Sequence, residues 1–338
     1  MRAIQIKEYV KGPSDLRVTD VSEPKPKPDQ YTVRIHASGT NFFDLLQIQG
    51  KYQTQPPLPW ISGAEFAGVV TATPAKPKNG QAKYKKGDRV FGTAQGAYAE
   101  QLCAAESQLM PIPKRFSFVE GAGLFTTMAT SYAGLVTRAN IKAGDWVLVH
   151  AAAGGVGLAA VQIAKAFGAK VIATAGTAHK LEVAKRFGAD YGINYRDDKW
   201  WDQVLALTPN KRGVDIVYDP VGLIDKSLKC IAFNGRLVVI GFVGGTWEQI
   251  ATNRILLKNI SVVGLHWGAY ARYEPGEISN VWERLFELFE SGKVRGTIYD
   301  ETEYVGLESV GKALTALGNR ETWGKVVVKI PQDGRSKL

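Results

Sequence analysis

Cysteine is scarce in this chain: two in 338 residues, Cys103 and Cys230, far apart. That excludes a disulfide framework, and it excludes a zinc site built from closely spaced thiolates. The four histidines, His36, His150, His179 and His266, are no better grouped, and their spacings suggest structural or cofactor-adjacent roles rather than a shared metal shell. No apolar run approaches the ~18–20 residues of a membrane span, so stable membrane insertion is not expected. The start, Met1-Arg-Ala-Ile-Gln-Ile-Lys-Glu8, reads as a strand and not as a secretory leader. No internal repeat is visible. Basic residues outnumber acidic ones, 42 to 32, for a formal charge of +10, yet they are scattered, with only short pairs such as Lys85-Lys86 and Lys211-Arg212. Without a basic stripe or an aromatic-basic module, RNA binding is not expected. A basic surface does attract anionic small molecules and raises their encounter rates at low salt.

What is present centres on one turn. Asp145-Trp-Val-Leu-Val-His150 is a short apolar run, followed by Ala151-Ala-Ala-Gly154-Gly155-Val156-Gly157 and then by Leu158–Phe167, which has helical apolar spacing and ends at Gly168. A strand, a small-residue turn and a helix start at this spacing let a pyrophosphate sit on bare backbone amides. The last glycine lets the helix pack closely on the strand. Glycine patterns of this kind are weak alone; here the strand before and the helix after supply the context that a dinucleotide site requires.

The alternation continues beyond the turn. Lys170–Ala175, Tyr191–Tyr195, Val214–Asp219, Arg236–Gly241 and Ile260–His266 are further short apolar runs, separated by helical stretches such as Lys180–Phe187 and Leu223–Ala232. With the run before the turn they make six strands in series, which predicts a parallel, doubly wound sheet. Earlier residues differ: Tyr31–His36, Ala67–Thr73 and Arg89–Gly92 alternate in polarity between Pro and Gly clusters, as mostly antiparallel strands do. Thr73–Lys86 reads as an exposed loop between strands. The end of the second parallel strand reads Ala173-Thr-Ala-Gly176-Thr177-Ala-His-Lys180, with no acid to hold both ribose hydroxyls of NAD and to repel a 2′-phosphate. Thr177 offers a hydrogen bond and Lys180 a positive charge. NADPH is the expected cofactor.

Further stretches carry a resemblance: Asn41-Phe-Phe-Asp44 followed by Gly50-Lys-Tyr52, Ser62-Gly-Ala-Glu65-Phe-Ala-Gly68, Lys86-Gly-Asp88-Arg-Val90, and Val263-Gly-Leu-His-Trp-Gly-Ala-Tyr270. With the glycine turn, they make the chain resemble, nearly end to end, the zinc-free quinone oxidoreductase branch, which includes zeta-crystallin-like proteins, of the medium-chain dehydrogenase/reductase superfamily. The resemblance implies an α/β chain in two domains. Residues 1–125 and 270–338 would form a GroES-like, mostly antiparallel substrate domain, and residues 126–269 a Rossmann domain with a six-stranded parallel sheet holding NADPH. The zinc alcohol dehydrogenases of the same superfamily hold their metal with residues that are Asn41 and Ala64 here, and their loop of four structural cysteines is missing. No zinc is expected.

By the same resemblance, a lysine at the offset of Lys180, a tyrosine matching Tyr195 and a C-terminal arginine contact the 2′-phosphate; the arginine role is carried onto Arg320 through the following Trp323-Gly-Lys-Val-Val-Val. Asn41 and Thr130 match polar groups near the nicotinamide and its ribose phosphate. Phe242, Val243, Leu265, His266 and Trp267 follow strands at their C-terminal ends, where open α/β sheets bind ligands. Asp44 and Tyr52 are expected to face the substrate, with Tyr52 the candidate proton donor and Glu65 in a structural role.

Without a metal, hydride addition to an isolated carbonyl builds an alkoxide that needs a strong proton donor beside it. A quinone or an α,β-unsaturated carbonyl compound spreads the charge and needs less help. The expected activity is therefore NADPH-dependent, zinc-independent reduction of a quinone or enone. A peroxisomal 2-enoyl-thioester reductase is an alternative, and an NADPH-binding protein with a mainly RNA- or membrane-associated role is an alternative of another class. The peroxisomal reading comes from Ser336-Lys337-Leu338, which matches an address read by the import receptor in eukaryotes; otherwise the expectation is cytoplasmic. An apolar edge strand at Ile260–His266, together with the resemblance, implies a homodimer, though tetramers occur in related families.

Overall fold

The computed structural model describes residues 1–78, 80–245 and 247–332. The chain divides into two units, one of residues 127–295 and one of residues 1–126 with 296–338. None of its described helices is long and apolar enough to cross a membrane.

In the contiguous unit, six strands form one parallel sheet: β1 (Trp146–Val149), β2 (Lys170–Ala175), β3 (Tyr191–Asn194), β4 (Val214–Asp219), β5 (Ile231–Val239) and β6 (Ser261–Gly264). Their spatial order is β3-β2-β1-β4-β5-β6, that of a doubly wound dinucleotide-binding sheet, whose direction of winding reverses between β1 and β4. The central strands are legible as plain apolar runs because helices cover both faces. Val147, Leu148, Val149, Val171, Ile172 and Ala173 are all fully buried. Leu148, Ile172, Ile193, Trp200, Val217 and Leu237 belong to one core cluster.

Two expectations for this unit need correction. Of the anticipated helix Leu223–Ala232 only Ile224–Ser227 is helical, because Ile231 already pairs with Val214 as part of β5. The register then shifts before Arg236 pairs with Ile216, and Asn234, at φ 62°, lies in the intervening segment. Residues 270–295, which were expected to join the C-terminal segment, belong to the parallel-sheet unit. Their helix Pro275–Glu290 buries Val281, Trp282, Leu285 and Phe289 on one face. The Gln162 amide then pairs with both the N–H and the C=O of Arg295, at 3.0 and 3.1 Å. The helix Phe125–Tyr132, which widens into a π-helical turn over Ala133–Arg138, was not anticipated.

The other unit is built from both ends of the chain. Its main sheet runs Tyr304–Val305, Val327–Lys329, Gln30–Gly39, Glu65–Ala72, Arg89–Thr93 and Leu109–Pro111, with Gln101–Ala105 also paired to Gln30–Gly39. All its pairings are antiparallel except that of Tyr304–Val305 with Val327–Lys329. A small sheet joins Val18–Asp20, Arg2–Ile6 and Trp60–Ile61. Residues 73–86 form no strand among those described, but the segment is not exposed throughout, because Tyr84 is buried in the core. Val33, Ile35, Phe66, Val90, Tyr98, Leu314 and Val328 share one core cluster.

Candidate active site

The glycine turn follows β1 at the point where the winding reverses. Ala151 takes φ 45°, the Gly154 N–H closes the turn onto the Ala151 carbonyl at 2.8 Å, and the helix runs Gly155–Ala166. The amides of Gly155, Val156 and Gly157 open this helix and have no preceding turn to bond, so they are free to face an anion. A Cβ on Gly157 would lie 2.3 Å from the Ala151 oxygen and 2.7 Å from the Ala152 Cα. Only glycine fits there. The Ser131 hydroxyl ties the preceding helix to the turn by donating to the Val156 carbonyl at 2.8 Å, and it lies 3.0 Å from the Tyr218 hydroxyl. Its neighbour Thr130 is partly exposed on the same helix.

At the end of β2, Gly176 precedes Thr177, whose hydroxyl caps the helix Ala178–Arg186 by accepting from the Lys180 N–H at 3.3 Å. A Cβ on Gly176 would stand 2.8 Å from the Tyr195 hydroxyl and 3.1 Å from the Arg196 Nε. Gly176 thus lies beside Tyr195, Thr177 caps the helix that carries Lys180, and Arg196, which was not anticipated, also reaches Gly176. Its signal was its place, one residue past a tyrosine already assigned to the phosphate. Arg320 lies in the other unit, two residues past the helix Val310–Gly318, at φ 60°.

The remaining loops sit at the C-terminal ends of β4, β5 and β6. Asp219 shapes the first of them: its carboxylate accepts from the N–H groups of Val221, Gly222 and Leu223 at 2.7, 3.0 and 2.7 Å. That loop in turn receives Val243 N–H on the Pro220 carbonyl and Gly244 N–H on the Val221 carbonyl, at 3.1 and 2.9 Å. Phe242 is left 41% exposed beside them, Leu265 and Trp267 are buried, and His266 is exposed. His150 is structural: wholly buried, it bridges Thr174 Oγ1 and Ser227 Oγ at 2.9 and 2.8 Å, and burial lowers its pKa. The Ser227 hydroxyl donates to the Leu223 carbonyl, so Nε2 of the ring donates to Ser227 and Nδ1 accepts from Thr174.

In the two-ended unit, a charged cluster lies under the start of the helix Phe42–Ile48. The Lys325 ammonium donates to Asn41 Oδ1 at 2.6 Å and to Glu65 Oε2 at 2.5 Å, and Asn41 Nδ2 donates to the same carboxylate oxygen at 3.2 Å. The Thr126 N–H donates to Glu65 Oε1 at 3.0 Å. Glu65 and Lys325 are 0% and 3% exposed, so each charge requires the other. Lys325 was missed in the sequence, although a lysine just ahead of the apolar run Val326-Val-Val328 is a sign of a buried partner.

Asp44, expected to face the substrate, is instead committed within this unit. It is 1% exposed, and its Oδ2 accepts from the Asn41 N–H at 2.8 Å and the Tyr98 hydroxyl at 2.6 Å, which closes the first turn of the helix. Burial drives its pKa up to about 6, against the pull of these hydrogen bonds. Tyr52 is partly buried and stacked on Phe43 at 5.4 Å; burial, and then the Asp44 charge, raise its pKa. It therefore carries its proton at neutral pH.

A nucleotide-binding parallel sheet joined to a mixed β unit is the fold of a pyridine-nucleotide oxidoreductase, and comparison with known proteins narrows it. Residues 27–114 match the family model of the alcohol dehydrogenase GroES-like domain, and residues 155–289 that of the zinc-binding dehydrogenases. A quinone oxidoreductase-like protein 2 homolog from Nematostella vectensis is 37% identical over 308 residues, 90% of this chain and 82% of that one. A mycobacterial protein solved in complex with NADPH is 31% identical with a TM-score of 0.88, covering 97% of this chain and 99% of that one. The Escherichia coli quinone oxidoreductase, also solved with NADPH, is 30% identical with a TM-score of 0.85, over 97% and 100% of the two chains. The chain belongs to the quinone oxidoreductase branch of the medium-chain dehydrogenase/reductase superfamily.

Proposed function

We propose that this protein is an NADPH-dependent oxidoreductase that works without zinc and reduces a quinone or the conjugated double bond of an α,β-unsaturated carbonyl compound. The observation that carries the acceptor class is the placement of Lys325. At the two positions where zinc-dependent relatives would offer metal ligands, Ala64 has no lone pair and the Asn41 oxygen already receives the ammonium of Lys325. A metal ion would have to displace a buried cation paired with Glu65, and the donor set does not suit zinc. The chemistry must then suit an acceptor whose negative charge delocalises.

The residues present fit NADPH: a turn that any side chain at position 157 would fill, and a position 176 that carries no acid. Two relatives of the same fold are solved with NADPH. When bound, that cofactor supplies hydride from its nicotinamide. The chain's part is to hold the phosphates on the Gly155–Gly157 amides, to place the nicotinamide among Thr130, Phe242, Val243, Leu265, His266 and Trp267, and to exclude water. Tyr52, protonated at neutral pH, serves as the proton donor in this reading. Asp44 acts only by fixing the helix that carries Asn41 and Phe43.

The test is NADPH and NADH oxidation by chelator-treated protein against a benzoquinone, an o-quinone, a 2-alkenal, an enone and a 2-enoyl-CoA. Turnover with NADPH that survives chelation is expected. Activity that is lost on chelation and restored by zinc would end the reading, while a preference for the enoyl-CoA would select the thioester alternative. Assembly as a homodimer through the edge strand β6 is part of the same proposal; the neighbouring helix Thr252–Lys258 leaves Leu256 and Leu257 78% and 74% exposed. Light scattering of Leu256→Glu/Leu257→Glu should then report monomers. Ser336-Lys337-Leu338 lies outside the described residues. A peroxisomal address is proposed on the tripeptide alone, and import of a tagged chain should stop when Leu338 is removed.

A further inference from the structure

We propose that Arg196 is the residue that makes this site select NADPH over NADH, by pairing its guanidinium with the 2′-phosphate beside Gly176. The inference deepens the cofactor reading above and rests on it.

In sheets of this order, the position about 20 residues past the last glycine of the turn decides the nucleotide. An acid there holds the ribose hydroxyls of NAD, whereas an arginine close by accommodates the phosphate of NADP. Gly176 and Thr177 occupy that position here, and the space a side chain would take at 176 is bounded by the Tyr195 hydroxyl at 2.8 Å, the Tyr195 Cζ at 3.1 Å and the Arg196 Nε at 3.1 Å. An acidic residue at 176 would have to push both side chains aside. Glycine lets Tyr195 and Arg196 close directly on the backbone at 176, which sets a guanidinium at the place where an NAD site carries its acid.

Among the described residues, the charge of Arg196 is also uncommitted. Its backbone N–H is fixed by Asn194 Oδ1 at 3.0 Å, which sets the course of the chain as it leaves β3. Yet its side chain enters none of the described ion pairs, although Asp197 and Asp198 follow it directly. A planar guanidinium matches two phosphate oxygens at once, whereas the ammonium of Lys180 offers a point charge on a flexible stem. Arg196 therefore has the geometry for discrimination, and Lys180 the long-range attraction.

The test uses the full chain and two soluble probes. In Arg196→Ala, the KM for NADPH should rise roughly ten- to hundredfold, the range of one lost charge-assisted hydrogen bond, with kcat and the KM for NADH unchanged. Inhibition by adenosine 2′,5′-bisphosphate should weaken in step while inhibition by 5′-AMP holds, a contrast that a merely loosened fold would not produce. If the wild type prefers NADPH and the preference of Arg196→Ala stays within twofold of it, Arg196 is not the selector although the cofactor reading stands. If the wild type shows no preference for NADPH, both fall together.

Discussion

Lys325 brings a full charge into a position that is otherwise closed to water, and its substitution should be felt accordingly. Replacing it with methionine leaves the Glu65 carboxylate buried and unmatched, which should cost about 3–5 kcal/mol. Lys325→Met/Glu65→Gln should recover part of that loss, because the second change removes the stranded charge. Urea unfolding of the two single variants and the double one measures this directly, and strictly additive losses would show that the pair does not act as one. Asp44 makes the opposite kind of prediction, in pH. Its pKa stands at about 6 in the fold against an ordinary value of 3.8, so the native state holds this proton more tightly than the unfolded chain does. The contribution is complete below about pH 4 and is lost as pH rises through 6, by about 3 kcal/mol at 1.36 kcal/mol per unit. The stability of wild type minus that of Asp44→Asn should therefore fall by that order between pH 4 and pH 7; parallel profiles would assign the shift elsewhere.

Among the elements, the glycine turn yields the sharpest contrast. A methyl at Gly157 meets backbone atoms of Ala151 and Ala152 at 2.3–2.8 Å, whereas one at Gly154 meets only the Ala151 oxygen, at 3.3 Å. Gly157→Ala should lose NADPH binding and about 1–3 kcal/mol of stability, and Gly154→Ala much less of either, as nucleotide fluorescence and thermal melts would report. Wild-type binding by Gly157→Ala would mean that the turn can relax by more than its packing suggests. The legibility of this unit follows from its periodicity. Strands buried on both faces spell themselves as unbroken apolar runs, so β1, β2 and β4 could be read directly, as could the turn between β1 and its helix. What escaped depends on partners far apart in the chain. Val214 meets Ile231 in a strand that then bulges before Arg236, so a segment that looked helical is extended. Glu65 and Lys325 are separated by 260 positions, and no local pattern joins them. Arg196 was overlooked for a different reason: its place beside Tyr195 was a signal, but a charged residue after a strand also reads as a solvated loop, and its approach to Gly176 is what separates the two.

At the scale of the molecule, the discontinuous unit carries a consequence for how the protein is made. The strand Val327–Lys329 adds to the sheet by pairing with Ala37, Ser38 and Gly39, and Lys325, just ahead of it, brings the counter-charge to Glu65. Residues 127–295 are contiguous, so they can fold as a unit during synthesis. Residues 1–126, though made first, must wait. On a ribosome halted shortly after residue 295 has emerged, protease should spare the parallel-sheet unit and digest the N-terminal 126 residues; equal resistance of the two would refute this order. Birth order and folding order are thus reversed, and the first strands translated spend most of synthesis with an unguarded edge and an acid still waiting for its cation.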